Sequence, residues 1–136
     1  MLFVYIGIGG AAGAILRYLV SNWALMRLGT TIPTGTLAVN IIGSFFLGII
    51  YAINIHAPLD NNLKGLVTVG LLGAFTTFST FSNEIIVLLQ SGNLRNGLVY
   101  LLLSILLGLA AVASGHYLVS FFLTLSKKNK STDTAK

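Results

Sequence analysis

Four long apolar stretches, at 2–25, 33–55, 63–90 and 96–125, constrain this chain more than any other feature. Crossing ~30 Å of hydrocarbon takes about 20 residues of helix, and each stretch is long enough. The linkers are short and carry turn residues: Arg27, Gly29 and Pro33, then His56, Pro58, Asp60 and Asn61, then Ser91, Gly92 and Asn93. With 55% hydrophobic and only 8% charged residues, nothing is left over for a soluble domain. The expected fold is an all-α membrane protein of four transmembrane helices, one domain over 1–125. A polar tail over 126–136 is expected to be disordered, with Lys127, Lys128 and Lys130 against the anionic headgroup surface of the lipid bilayer rather than a nucleic acid. Trp23 and Tyr117 suit interfacial anchoring. No basic region precedes the first stretch and three more follow, so a cleaved signal peptide is not expected. Cysteine is absent, which removes disulfide and thiol chemistry.

The third stretch contains an anomaly. From Gly70 to Glu84 the sequence reads GLLGAFTTFSTFSNE, two glycines followed by five hydroxyl residues, with Phe78 and Phe81 among them. Ser and Thr side chains compete for backbone partners, and Thr is stiff at χ1, so such a run weakens a helix. Lipid offers no partners to freed backbone groups. A break at membrane depth is therefore tolerable only where it lines a cavity or holds an ion. The break is expected to be the functional centre.

Small residues mark helix-packing faces: Gly7, Gly9, Gly10, Gly13, Ala11 and Ala14 on the first helix, and Tyr100, Ser104, Gly108, Ala111 and Gly115 on the fourth. On the second, Thr36, Asn40 and Ser44 stack at i, i+4 and i+8. A lone amide at mid-span needs partners, and Asn40 faces the same side as both hydroxyls. Four spans put Lys64, Lys127, Lys128, Lys130 and Lys136 on one side, against Arg27 and Arg95, with Arg17 near them. That bias is small for a rule in which Lys and Arg set orientation, so two copies could insert oppositely and pair antiparallel.

No nucleophile–base pair, metal-ligand cluster or phosphate loop is present, and His56 and His116 have no companion at ligand spacing; the chain is not expected to be an enzyme. What remains is a polar route rich in donors. Hydroxyl and amide groups can replace water around a small anion. Aromatic ring edges are electropositive, so Phe78 and Phe81 presented edge-on could do the same. Arg17 either snorkels to the interface or concentrates anions in a vestibule. Glu84 is the one acidic residue within a span and lies beyond the break, so the path is expected to lack a nearby carboxylate.

Three stretches together resemble one family. They are Gly9-Gly10-x-x-Gly13-Ala14-x-x-Arg17-Tyr18, then Gly35-Thr36-Leu37-x-Val39-Asn40-x-x-Gly43-Ser44-Phe45, then Gly70-x-x-Gly73-x-x-Thr76-Thr77-Phe78-Ser79-Thr80-Phe81-x-x-Glu84. This pattern is similar to that of the Fluc/CrcB fluoride channels and covers all of the chain but the tail. The resemblance implies an antiparallel, dual-topology homodimer in the cytoplasmic membrane that exports fluoride passively through two pores. It implies a structural Na⁺ at the dimer centre, held by main-chain carbonyls of Gly73 and Thr76. Phe78 and Phe81 would line the pore and Asn40 would donate to fluoride. Ser79, Thr80, Tyr100 and Ser104 would form a polar track, and Arg17 matches the family's first-helix arginine. Ala74-Phe75 departs from the family's usual Gly-Leu, which a carbonyl site tolerates. The alternatives are a proton-coupled exporter like the small multidrug resistance proteins, for which Glu84 is the one candidate carboxylate, and an accessory subunit without transport.

Overall fold

A computed structural model of the chain describes residues 1–29 and 31–133, with side chains through 125. Helix α1 covers Leu2–Leu28 and α2 covers Thr34–His56. The third span is composite. It opens with the single turn α3, Asn61–Lys64, and continues through an i→i+5 bonded π-helix over Gly65–Leu72. The turn α4, Gly73–Phe75, precedes a gap of two residues, and α5 covers Phe78–Gln90. Helix α6 covers Leu94–Asp133. Among the described residues, four segments are long and apolar enough to cross a membrane: Leu2–Leu28, Thr34–His56, Asn61–Gln90 and Leu94–Leu125. The all-α, four-span architecture read from the sequence is the one observed. The α6 backbone stays helical past Leu125, where composition placed the start of the tail. The tail's side chains and residues 134–136 lie outside the described residues, as do the roles expected of its lysines.

The turns follow from their residues. Asp60 Oδ2 accepts from the N–H groups of Asn62 and Leu63 at 3.0 and 3.2 Å, capping α3. After α5, Gly92 adopts φ 77°, a conformation that favours glycine. The N–H of Asn93 reaches the Leu88 carbonyl at 2.9 Å and that of Gly92 the Leu89 carbonyl at 3.1 Å, a Schellman ending.

Helix α2 lies along α6, and α1 along the π-helical run. The first pair meets backbone to backbone: a Cβ on Gly48 would overlap the Val112 carbonyl, and one on Gly115 the Phe45 carbonyl. Such closeness is how spans associate in lipid, where no hydrophobic force draws them together. On the α6 stripe, Tyr100, Ala111 and Gly115 are buried, facing inward as their spacing predicts. Outside, large apolar side chains such as Phe3, Ile15, Leu109 and Phe121 are exposed, as lipid contact requires.

Candidate functional site

The third span stops being helical at Phe75. Thr76 (φ −87°, ψ 158°) and Thr77 (φ −149°, ψ 120°) are extended, and helix resumes at Phe78. Thr77 caps α5: its Oγ1 accepts from the Thr80 N–H at 3.2 Å and donates to Thr80 Oγ1 at 2.9 Å, with Ser79 Oγ 3.4 Å away. Thr76 turns the other way, its N–H and Oγ1 both donating to the Leu72 carbonyl, at 3.0 and 2.9 Å.

Asn40 completes the arrangement from α2. Its Oδ1 accepts from the Thr77 N–H at 2.8 Å and its Nδ2 donates to the Thr77 carbonyl at 3.0 Å. One side-chain amide thus serves both backbone groups of the extended residue, as a neighbouring strand would. A turn further on, Gly43 makes room for the break. A Cβ there would overlap Thr76 Cγ2 and press on the Phe75 ring.

These bonds have a consequence for two carbonyls. In an uninterrupted helix the Gly73 carbonyl accepts from the N–H of residue 77 and the Thr76 carbonyl from that of residue 80. Here the Thr77 N–H goes to Asn40 and the Thr80 N–H to the Thr77 hydroxyl. Gly73 and Thr76 therefore lose their helical donors, and both line one cleft of about 300 Å³ with Asn40, Gly43, Ser44 and Phe78. Bare carbonyl groups away from water are costly, and hard cations prefer such oxygens. Two main-chain oxygens of this kind are ligands that a hard cation such as Na⁺ would take, without any side chain.

On the other side of Thr77, a cleft of about 460 Å³ is lined by Arg17, Ser21, Thr36, Thr80 and Glu84 among others. Thr77 borders both clefts, so the clamp with Asn40 stands between them. Beside it the aromatic groups form a chain. Phe81 is nearly buried, with its ring 5.3 Å from that of Tyr100 and 5.8 Å from that of Phe78. Phe78 projects from the surface, 79% exposed. Ser104, one turn along α6 from Tyr100, has a buried Oγ without a hydrogen-bond partner among the described residues.

The residues singled out from the sequence thus lie on the break and the two faces beside it. One expectation was incomplete: Asn40 is a free donor only through its second amide hydrogen, since its oxygen and one N–H hold Thr77. Another was wrong. The Glu84 carboxylate adjoins the residues expected to form the polar track: Thr36 Oγ1 donates to its Oε1 at 2.8 Å and the Tyr100 hydroxyl to its Oε2 at 2.7 Å. The signal was present: Glu84 follows Phe81 by three residues in a helix, which puts the two on one face. Replacing Glu84 by Ala leaves two part-buried hydroxyls without their acceptor. We expect a loss of about 1–3 kcal/mol, read as a lower melting temperature in detergent, with Glu84→Gln losing less.

A family model described as CrcB-like protein, Camphor Resistance (CrcB), matches residues 4–116, from α1 to the second half of α6. The chain belongs to the CrcB family. Its relatives include proteins named fluoride-specific ion channel FluC. That of Shewanella amazonensis is 49% identical over 116 residues, 85% of this chain and 94% of the relative. Those of Shewanella denitrificans and Shewanella sp. strain W3-18-1 are 47% and 46% identical, over 85% and 84% of this chain and 94% and 92% of the relatives. The match takes in both clefts and reaches into all four spans, so this CrcB-family chain is a multi-pass membrane protein.

Proposed function

We propose that the chain forms a fluoride-selective ion channel that lets fluoride leave the cell down its gradient, without a chemical step. The observation that carries this reading is the break itself: Asn40, Thr77 and the Phe78–Phe81 pair meet there, in a chain nearly half identical along its spans to proteins named fluoride-specific ion channels. Fluoride is small and strongly hydrated, so a pore must replace its water with several donors at once. The second N–H of Asn40, the hydroxyls of Ser79, Thr80 and Ser104, and the electropositive edges of Phe78 and Phe81 supply them. Arg17, in the wider cleft, raises the local concentration of anions. Tyr100, held by Glu84, fixes the wall on which Phe81 rests.

The working unit in this reading is an antiparallel pair of copies with two pores, in the cytoplasmic membrane. Phe78 supports it, because a ring so exposed at the centre of the site calls for a partner surface. The carbonyls of Gly73 and Thr76 from both copies would hold a Na⁺ at the centre, whose part is to compensate those oxygens rather than to be transported.

Cells that lack their own means of fluoride export provide the test. Producing this chain is expected to restore their growth in fluoride-containing medium and to lower cytoplasmic fluoride. Unchanged fluoride content in cells that carry the protein in their membrane would contradict the function. The cation has a separate check. Replacing Na⁺ by a bulky organic cation is expected to slow fluoride release from liposomes and to shift the dimer towards monomer, and neither change would occur if the carbonyls hold no ion.

A further inference from the structure

The π-helical run is an oddity, since such helices occur mainly as single-turn bulges. Gly65–Leu72 winds with i→i+5 bonds, and at its end the Gly73 N–H is shared between the Gly70 carbonyl, three residues back, and the Thr68 carbonyl, five residues back. Glycines surround it. A Cβ on Gly9 would overlap the Leu66 carbonyl and press on the Leu71 N–H, the two partners of one i→i+5 turn. A Cβ on Gly13 would overlap the Leu71 carbonyl, and one on Gly70 would strike the Ile6 carbonyl and the Gly10 N–H. By contrast, Gly7 and Gly10 have open space where their side chains would be. The bare Cα of Gly9 therefore rests on two atoms of one i→i+5 turn, and that of Gly13 on the carbonyl of Leu71 near the end of the run.

The run carries one residue more than an α-helix with the same end points. Every i→i+5 bond accepted by Gly65 through Thr68 spans position 69. If the run relaxed to α without losing a residue, all that follows would be carried on by one position, about 100° and 1.5 Å. That shift would take Thr77 away from Asn40 and Thr76 away from the gap at Gly43. We propose that Gly9, Gly13 and Gly70 are positioning residues that hold Gly65–Leu72 in its π form, and that this form keeps the break in register with Asn40. The inference concerns the geometry of the break and rests on the channel reading only for its flux readout.

The test compares Gly9→Ala and Gly13→Ala with Gly7→Ala and Gly10→Ala in the full chain. It adds a variant lacking Val69, an exposed residue whose removal turns each spanning i→i+5 bond into i→i+4 with the same partners. Fluoride release from liposomes and hydrogen exchange of the 70–78 amides are both read. Gly9→Ala and Gly13→Ala are expected to slow release by about tenfold or more and to speed exchange at the break, since small misplacements of a site cost that much. Gly7→Ala, Gly10→Ala and the Val69 deletion are expected to behave as wild type, which a merely space-filling role would not give for the deletion. Equal behaviour of Gly9→Ala and Gly10→Ala in both readouts would overturn the inference. So would a well-folded Val69 deletion without release, and if the alanine variants do not fold, the deletion decides alone. Should wild type release no fluoride, the channel reading falls and the exchange pattern still decides the role of the glycines.

Discussion

Asn40→Asp is expected to slow fluoride release by about 100-fold while leaving the four spans folded. The substitution keeps the acceptor for the Thr77 N–H but removes the donor to the Thr77 carbonyl, now facing a carboxylate oxygen. An unpaired buried carbonyl costs about 1–3 kcal/mol, and each 1.4 kcal/mol is about tenfold in an equilibrium constant. The same change places a negative charge beside Thr77, which borders both clefts, on the path proposed for the anion. Asn40→Ala separates the two effects. It adds no charge but abandons both backbone groups of Thr77, so its melting temperature should fall further than that of Asn40→Asp at low pH, where the neutral acid still donates to the Thr77 carbonyl. Fluoride-electrode traces and thermal unfolding of the purified variants check both statements. Release by Asn40→Asp at the wild-type rate would remove Asn40 from the path.

The second large effect is a contrast between two rings. Phe78→Ile and Phe81→Ile should both slow fluoride release by about tenfold or more, because an aliphatic side chain has no electropositive edge to offer an anion. Their effects on stability should differ. Phe81 is nearly buried and in contact range of both Tyr100 and Phe78, so a change of shape there costs about 1–3 kcal/mol. Phe78 has little to lose within its own chain, being 79% exposed. If the exposed face meets a second copy, Phe78→Ile should instead weaken association, visible as a shift towards monomer in detergent at low concentration. Normal release by both variants would leave the ring edges without a role.

The spans and their ends were legible because hydrophobic length and turn residues act locally: Gly92, Asp60 and the Gly115 contact sit where their chemistry puts them. The break was legible for the same reason, since Thr76 and Thr77 take backbone partners with their own side chains. What stayed hidden was pairwise. That Asn40 spends its amide on Thr77, and that Glu84 takes the hydroxyls of Thr36 and Tyr100, depends on how α2, α5 and α6 are brought together. Nor does any pattern in GLVTVGLL announce a π-helix. That form follows from what α1 presses against it, and only the division of the α1 glycines into packed and open ones reveals it.

The most direct measurement uses purified protein in liposomes loaded with fluoride or with chloride, with a K⁺ ionophore to carry the balancing charge and an ion-selective electrode outside. A fluoride-selective channel gives rapid fluoride release that stops when the ionophore is omitted, is indifferent to a pH gradient, and is accompanied by little chloride release. Release that depends on a proton gradient would transfer the site to an exporter working through Glu84. Absence of fluoride release from protein that is folded and inserted would contradict the channel outright.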